Sequence, residues 1–156
     1  MHECCRFLLG IAAVTSAPTA DAAERAWSFD FGQGVAEYAV GSFADGGSHL
    51  ALSCAESGIA PGSVSVLLGR AGFTPSGPTR ATFTTESGKV TLLLDAEGWA
   101  RFRSLAAAAP FRTLWRLLAT GRTLRVSYGP GAPMTLPLIG AAKLLGKTVC
   151  PKQLAQ

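Results

Sequence analysis

Apolar and polar residues alternate along most of the chain in short runs that turn residues separate. From residue 24 onward these runs follow one another roughly every ten residues, with glycine, proline, aspartate and serine between them. A period of two is typical of a strand with one buried face, and regular turns are typical of a sandwich or barrel. The sequence therefore predicts a mainly β fold, an antiparallel β-sandwich or flattened barrel with one to three short helices toward the C-terminus.

Helical spacing occurs in three places near the C-terminus. Pro110 suits the first turn of a helix, apolar residues recur behind it every three to four positions, and Gly121 stands where a capping glycine ends a helix. Residues 99–109 have apolar side chains three apart and a run of alanines, which predicts a second helix. Residues 141–149 predict a short closing helix, which Gly146 weakens.

Two hairpins are predicted among the strands. Residues 124–128 and 134–138 alternate between apolar and polar positions on either side of a glycine- and proline-rich turn. Pro137 has no N–H to donate to a ladder, so the second of these strands is expected at a sheet edge or with an interruption. The other hairpin is expected over residues 82–94, where a serine and a glycine supply the turn.

The first 22 residues have the pattern of a secretory signal. One early cation precedes an apolar run over residues 7–14, and alanines flank an aspartate at residues 20–22 as in a small-residue cleavage site. The apolar run is shorter than the roughly 20 residues that span a bilayer as a helix. We expect residues 1–22 to be a signal peptide and residues 23–156 to be a single mature β-rich domain without stable membrane insertion. The alternative is a buried N-terminal helix, which Pro18 would interrupt.

Composition and charge narrow the location. The chain contains no asparagine and is rich in alanine, glycine and arginine, as expected for a GC-rich bacterial genome. Removal of the predicted signal takes away Arg6, Glu3 and Asp21, which leaves thirteen Lys and Arg against eight Asp and Glu. A periplasmic or secreted bacterial protein is therefore expected, and we expect no nucleic-acid partner in that compartment.

Cys54 and Cys150 are the only cysteines after the predicted signal. An oxidising compartment favours their pairing if the fold brings the two Cα atoms within roughly 7 Å. Cys54 ends a predicted strand and Cys150 follows the closing helix, so a disulfide would hold the last segment against the sheet. The alternative is a pair of separately buried thiols.

Few residues suit catalysis or metal binding. His49 is the one histidine after the signal, and Asp45 and Ser53 lie near it, but no nucleophile elbow is present and an exposed strand-end histidine is favoured. One histidine and two distant cysteines give no zinc-ligand spacing, so neither a metal nor a cofactor is expected. Asp95 and Glu97 are favoured as turn residues over an acid–base pair. A non-enzymatic role is therefore favoured, with a hydrolase centred near His49 as the alternative.

Cations are concentrated late in the chain, and no acidic residue follows Glu97. Six arginines fall in one short stretch, namely Arg101, Arg103, Arg112, Arg116, Arg122 and Arg125. Arg112 and Arg116 lie four apart on one face of the predicted helix. Such asymmetry would attract polyanions, but taken by itself the pattern favours a merely solvated face. We predict a non-enzymatic accessory or interaction module that binds a protein or an anionic envelope component through these arginines.

The order of these features resembles a known group of exported proteins. A Trp-containing first strand, a strand over residues 49–54 that ends in cysteine, and a late hairpin running into a final Cys150 are similar in outline to the invasion-associated locus B group. That group consists of small periplasmic proteins of Gram-negative bacteria. The resemblance implies a secreted β-sandwich without known catalytic residues.

Overall fold

The computed structural model describes residues 26–44, 46–58 and 60–152. The predicted signal peptide over residues 1–22 and Asp45 lie outside this part of the chain. Within it the chain forms nine strands and two helices. They are β1 (Ser28–Gly32), β2 (Val35–Gly41), β3 (His49–Ala55), β4 (Val64–Gly69), β5 (Thr79–Thr85), β6 (Gly88–Leu94), β7 (Trp99–Phe102), α1 (Ala109–Thr120), β8 (Thr123–Tyr128), β9 (Met134–Pro137) and α2 (Ala141–Leu145).

The strands form two antiparallel sheets that share one core. The five-stranded sheet has the order β1-β2-β3-β4-β7, and the four-stranded sheet has the order β6-β5-β8-β9. Buried side chains from both sheets belong to one hydrophobic cluster, as in a sandwich whose inner faces meet. The described strands make two separate sheets and not one closed barrel, so the predicted β-sandwich is confirmed.

Period-two alternation explains which side chains enter the core. In β8 the side chains of Leu124, Val126 and Tyr128 are buried, and the residues between them are exposed. The predicted hairpin of β8 with β9 is confirmed, and β9 lies at the edge of its sheet, where Pro137 lacks a donor. The other predicted hairpin is confirmed as β5 paired with β6.

The predicted helix at Pro110 is confirmed as α1, and it packs into the core of the sandwich. Phe111, Leu114, Trp115 and Leu118 have no exposed surface. The Trp115 ring meets the Tyr38 ring of β2 edge-on at 5.0 Å between centroids, and its Nε1–H donates to the Leu145 carbonyl at 3.2 Å. Helix α1 therefore links the five-stranded sheet to α2.

Gly121 ends α1 as predicted, but for a different reason. Its φ is −81°, which is ordinary extended backbone, so the left-handed conformation of a capping glycine is absent here. A Cβ at this position would lie 2.9 Å from both the Leu117 carbonyl oxygen and Leu138 Cδ1, and 3.0 Å from Thr85 Cγ2. Glycine is required at residue 121 because the backbone passes close to three neighbours.

The predicted helix over residues 99–109 is wrong. Residues Trp99–Phe102 form β7, which pairs with β4 so that Trp99 lies opposite Leu67 and Ala100 opposite Val66. The ladder with β4 satisfies backbone groups on an otherwise unpaired edge, which outweighs the small helix preference of the nearby alanines.

The closing helix is shorter than predicted. Helix α2 has five residues and ends at Leu145, and the capping residue Gly146 has a φ of +60°, which suits glycine. No helix in the described part of the chain is long and apolar enough to cross a membrane.

Candidate binding surface

The six arginines predicted to bind do not form one surface. Arg101 faces outward on β7, where its guanidinium lies 2.5 Å from a carboxylate oxygen of Asp95 and 4.7 Å above the Trp99 ring. Both partners hold the exposed side chain against the protein surface. Arg101 therefore has its charge already paired.

The two arginines of helix α1, Arg112 and Arg116, also have hydrogen-bond partners within the protein. Arg112 donates to the carbonyls of Leu105 and Ala106, so its guanidinium holds the turn that leads into α1. The exposed Arg116 donates from Nε to the carbonyl of Arg112 at 3.2 Å. Arg103 is exposed and lies within roughly 7 Å of Leu105 along the chain. Arg112 and Arg116 are therefore neighbours on α1, and Arg112 has a structural role.

Arg122 and Arg125 lie at the other sheet. The backbone N–H of Arg122 donates to Glu86 Oε2 at 3.1 Å, and this hydrogen bond is the main reason that the pKa of the Glu86 carboxyl is lowered. Arg125 points outward from β8, with Thr84 of β5 on one side and Thr135 of β9 on the other. Arg125 therefore belongs to the outer surface of the four-stranded sheet.

That outer surface carries cations and hydroxyl groups, and we term it the cationic face. Its side chains are Arg80, Thr82, Thr84, Lys89, Thr91, Leu93, Thr123, Arg125, Ser127 and Thr135. None of the four strands contains Asp or Glu. Only Arg125 of its three cations was a predicted site residue, and Arg80 and Lys89 were missed.

The register places the three cations close together. Lys89, Thr84 and Arg125 stand side by side on adjacent strands, so the Cα atoms of Lys89 and Arg125 are about 10 Å apart. Arg80 lies about 13 Å along β5 from Thr84. The signal for this face was present in the sequence as the alternation of cations and threonines in β5 and β6, which a search for dense arginine runs overlooks.

His49 is half-buried on the outer side of β3. Its Nδ1 lies 3.2 Å from the Ser42 carbonyl oxygen, and its ring stacks on the Phe43 ring at 4.2 Å between centroids. Ser53 is four residues further along the same strand, about 13 Å away and beyond hydrogen-bond reach. The hydrolase near His49 stays a prediction from the sequence.

Asp95 organises the turn between β6 and β7, as the sequence favours. Its Oδ1 accepts hydrogen bonds from the backbone N–H groups of Glu97 and Trp99, at 3.1 and 2.7 Å. Burial acts to raise the pKa of the Asp95 carboxyl, but the Trp99 N–H and the charge of Arg101 outweigh it, and this pKa is lowered. Across the described ranges, no cluster of three or more His, Cys, Asp and Glu is placed to hold a metal ion.

A disulfide joins Cys54 of β3 to Cys150, with the Cα atoms 5.7 Å apart, as the sequence predicts. The bridge contributes to the wall of a cavity of about 470 Å³. Val64 and Leu105 give this cavity an apolar side, and Glu56 and Lys152 give it two opposite charges. Because the disulfide joins Cys150 to β3, it also fixes the segment after α2 to the five-stranded sheet.

Comparison with known proteins identifies a family. The family YfjT matches residues 25–145, a range that includes every strand and both helices of the described fold. No curated protein and no solved structure matches the chain. The resemblance to the invasion-associated locus B group stays a prediction. Because the match extends over well more than half of the sequence, the chain belongs to the YfjT family.

Proposed function

We propose that this protein is a non-enzymatic accessory or interaction module of the bacterial periplasm, and that its cationic face binds an anionic component of the envelope. The observation that carries the proposal is the composition of that face. Its outward positions combine Arg80, Lys89 and Arg125 with threonine and serine hydroxyls, and its strands contain no carboxylate.

The chemistry of this face suits a repeating anion. Lys89 and Arg125 are exposed and lie about 10 Å apart, which is about one Debye length at roughly 0.1 M salt, so their fields overlap. The exposed Arg80 lies about 14 Å from each of them and extends the positive surface along β5. The hydroxyls between them donate hydrogen bonds to carboxylate, sulfate or phosphate oxygens. Such a surface attracts an anionic polymer by charge and holds it by polar contacts.

Arg112 and Arg116 of helix α1 are a weaker candidate for binding an anion. The guanidinium of Arg112 already donates to two carbonyls, and Arg116 is bonded to the carbonyl of Arg112. On the cationic face, Arg125 stands between two threonines and faces outward. We therefore place binding on the four-stranded sheet.

The test compares two variants that lose the same charge. Arg80→Gln, Lys89→Gln and Arg125→Gln together remove the three cations of the cationic face. The matched control, Arg103→Gln with Arg116→Gln and Lys143→Gln, removes three exposed cations elsewhere. Binding to dextran sulfate is measured by calorimetry at several salt concentrations. For the first variant, the slope of log affinity against log salt should fall by about three, which is about one for each contacting cation.

The control should keep a slope close to that of the parent. Equal losses in both variants would show that net charge alone drives binding and would contradict the proposal. A protein partner with an acidic surface would use the same cations. Dextran sulfate should then compete with that partner for the parent protein, and the face variant should bind both more weakly than the parent does.

A further inference from the structure

A second cavity, of about 260 Å³, opens at the end of the sandwich where β4 and β6 finish and β7 begins. The loop after β4 forms one wall through Arg70, Phe73 and Thr74. The turn between β6 and β7 forms the opposite wall through Glu97 and Gly98. Tyr128 of β8 lies at the floor between them.

The Tyr128 hydroxyl is an unpaired polar group. The side chain is 1 % exposed, and among the described residues its hydroxyl has no hydrogen-bond partner. A Cβ at Gly98 would lie 3.7 Å from this oxygen, so the phenol points toward the turn that walls the cavity. A buried hydroxyl without a partner costs free energy, and a ligand that supplies the partner recovers it.

Arg70 brings further donors in a fixed position. Its guanidinium donates to the carbonyls of Tyr128 at 2.5 Å and Ala132 at 3.0 Å, which hold the group in place. A guanidinium has five N–H donors, so others stay available to a ligand. Because the group is already ordered, a ligand does not pay the entropy of ordering it.

The remaining walls supply an acceptor and an apolar surface. The exposed carboxylate of Glu97 accepts hydrogen bonds only. The half-buried Phe73 ring meets the Tyr128 ring edge-on at 5.1 Å and is held there above Gly129, where a Cβ would lie 2.6 Å from the ring. Pro75 adds a second apolar side chain to the same wall.

We propose that this cavity binds one hydroxylated ring of a saccharide. A purely apolar ligand would leave the Tyr128 hydroxyl unpaired. An anion would be repelled by the Glu97 carboxylate, and a cation would be repelled by the Arg70 guanidinium. A pyranose ring is uncharged, its hydroxyls both donate and accept, and its C–H face packs against an aromatic ring. The cavity is slightly smaller than a typical drug-sized site, as suits a single ring.

The test titrates the purified protein with methyl β-D-glucopyranoside and with the methyl glycoside of N-acetylglucosamine, followed by ¹H–¹⁵N correlation spectra. Saturable shifts are expected at amides of residues 70–75 and 95–98. Tyr128→Phe should weaken binding about tenfold, the equivalent of one hydrogen bond. The same variant should melt at the same temperature as the parent or higher, because it removes an unpaired buried hydroxyl.

Three controls make the test decisive. Tyr38→Phe changes a buried tyrosine outside the cavity lining and should leave binding unchanged. Glu97→Ala should weaken binding several-fold, and cyclohexanol should bind more weakly than either glycoside. Absence of saturable shifts with both glycosides, parental affinity in Tyr128→Phe, or equal binding of cyclohexanol would each overturn the proposal. Loss of the cationic-face residues leaves this cavity intact, so the two proposals fail separately.

Discussion

The outer surfaces of the two sheets obey the same alternation but carry opposite patterns of charge. One row across the five-stranded sheet runs through Asp30, Glu37, Ser53, Ser65 and Arg101. The corresponding row across the four-stranded sheet runs through Lys89, Thr84, Arg125 and Thr135. The first row is acidic at one edge and ends in an arginine that Asp95 neutralises, whereas the second has cations and hydroxyls only.

The difference shows that strand register, not the density of arginine along the chain, makes a charged surface. Arg101 and Arg125 are 24 positions apart in the sequence and lie on different sheets. Arg80 and Arg125 are further apart in the sequence but share one face, because β5 and β8 are neighbours. Of the two sheets, the four-stranded one therefore has the positive outer surface that the proposed binding of a polyanion requires.

The largest effect is expected from removing the disulfide, which tests whether the cationic face depends on the five-stranded side of the molecule. The disulfide connects β3 to the C-terminal segment and so belongs to the five-stranded side. Replacing Cys54 and Cys150 by alanine should lower the free energy of unfolding by about 4 to 5 kcal/mol, because a cross-link closing a loop of 96 residues no longer restricts the unfolded chain. Urea unfolding followed by tryptophan fluorescence measures this loss.

Below its melting temperature, the cysteine-free variant should bind dextran sulfate as the parent does. Reduction of the parent with dithiothreitol should give the same loss of stability. If polyanion binding fell together with stability in the folded variant, the cationic face would depend on the bridge, and the two faces would not be independent.

The next prediction concerns a variant that gives the outer surface of the five-stranded sheet the positive charge of the cationic face. Asp30→Lys with Glu37→Lys changes the five-stranded face by four units of charge. In the background that lacks Arg80, Lys89 and Arg125, it should raise affinity for dextran sulfate about tenfold, or about 1.4 kcal/mol, by charge alone. Calorimetry at low salt measures the gain. No gain would mean that the cation and hydroxyl geometry of the four-stranded sheet is required as well as its sign.

A smaller effect concerns the carboxylate that neutralises Arg101. Asp95→Ala removes an acceptor of two backbone N–H groups and should cost about 1 kcal/mol at pH 7. A carboxyl with a lowered folded pKa stabilises the protein above its unfolded pKa and loses that stabilisation as the pH falls. The difference between parent and variant should therefore be constant above about pH 5 and narrow below about pH 4. Thermal unfolding of the parent and of Asp95→Ala across this pH range measures the difference in stability, and a difference that stays constant down to about pH 3 would contradict the prediction.

The smallest effect tests the hydroxyls of the cationic face. Thr82 and Thr91 are joined by a 2.9 Å hydrogen bond between their Oγ1 atoms. Changing both to valine keeps the shape and should alter stability by less than about 0.5 kcal/mol, because the site is exposed. Affinity for dextran sulfate should fall about twofold, whereas Ser53→Ala with Ser65→Ala on the opposite sheet should leave it unchanged. Unchanged affinity in the valine variant would restrict recognition to the three cations.

The strands and hairpins were predictable because burial on one face enforces a period of two, as in β8 with Leu124, Val126 and Tyr128. The segment from Trp99 was not, because its three-residue spacing satisfies a helix while its pairing partner β4 lies more than 30 residues earlier. Local pattern contains no information about such a distant edge. Tertiary pairing then outweighs the weak preference of alanine for helix.

The candidate site was likewise predictable where the local sequence shows it and not where it depends on strand pairing. Arg125 was found because it lies in a run of arginines, whereas Arg80 and Lys89 stand alone in strands that look unremarkable until they are paired. The cavity at Tyr128 depends on two separate turns that meet the end of β8 at one end of the sandwich. The spacing of residues in the sequence does not predict that these segments line one cavity.

The link between Cys54 and Cys150 also decides how the domain bears a mechanical load. When the two ends of the chain are pulled apart, tension passes from β3 through the sulfur atoms to the last segment. The strands and helices from β4 to α2 lie inside the bypassed loop and carry none of it. All four strands of the cationic face are among them. A molecule tethered at both ends would therefore extend β1 and β2 first, while the covalent bridge keeps the strands of the cationic face out of the part of the chain under tension.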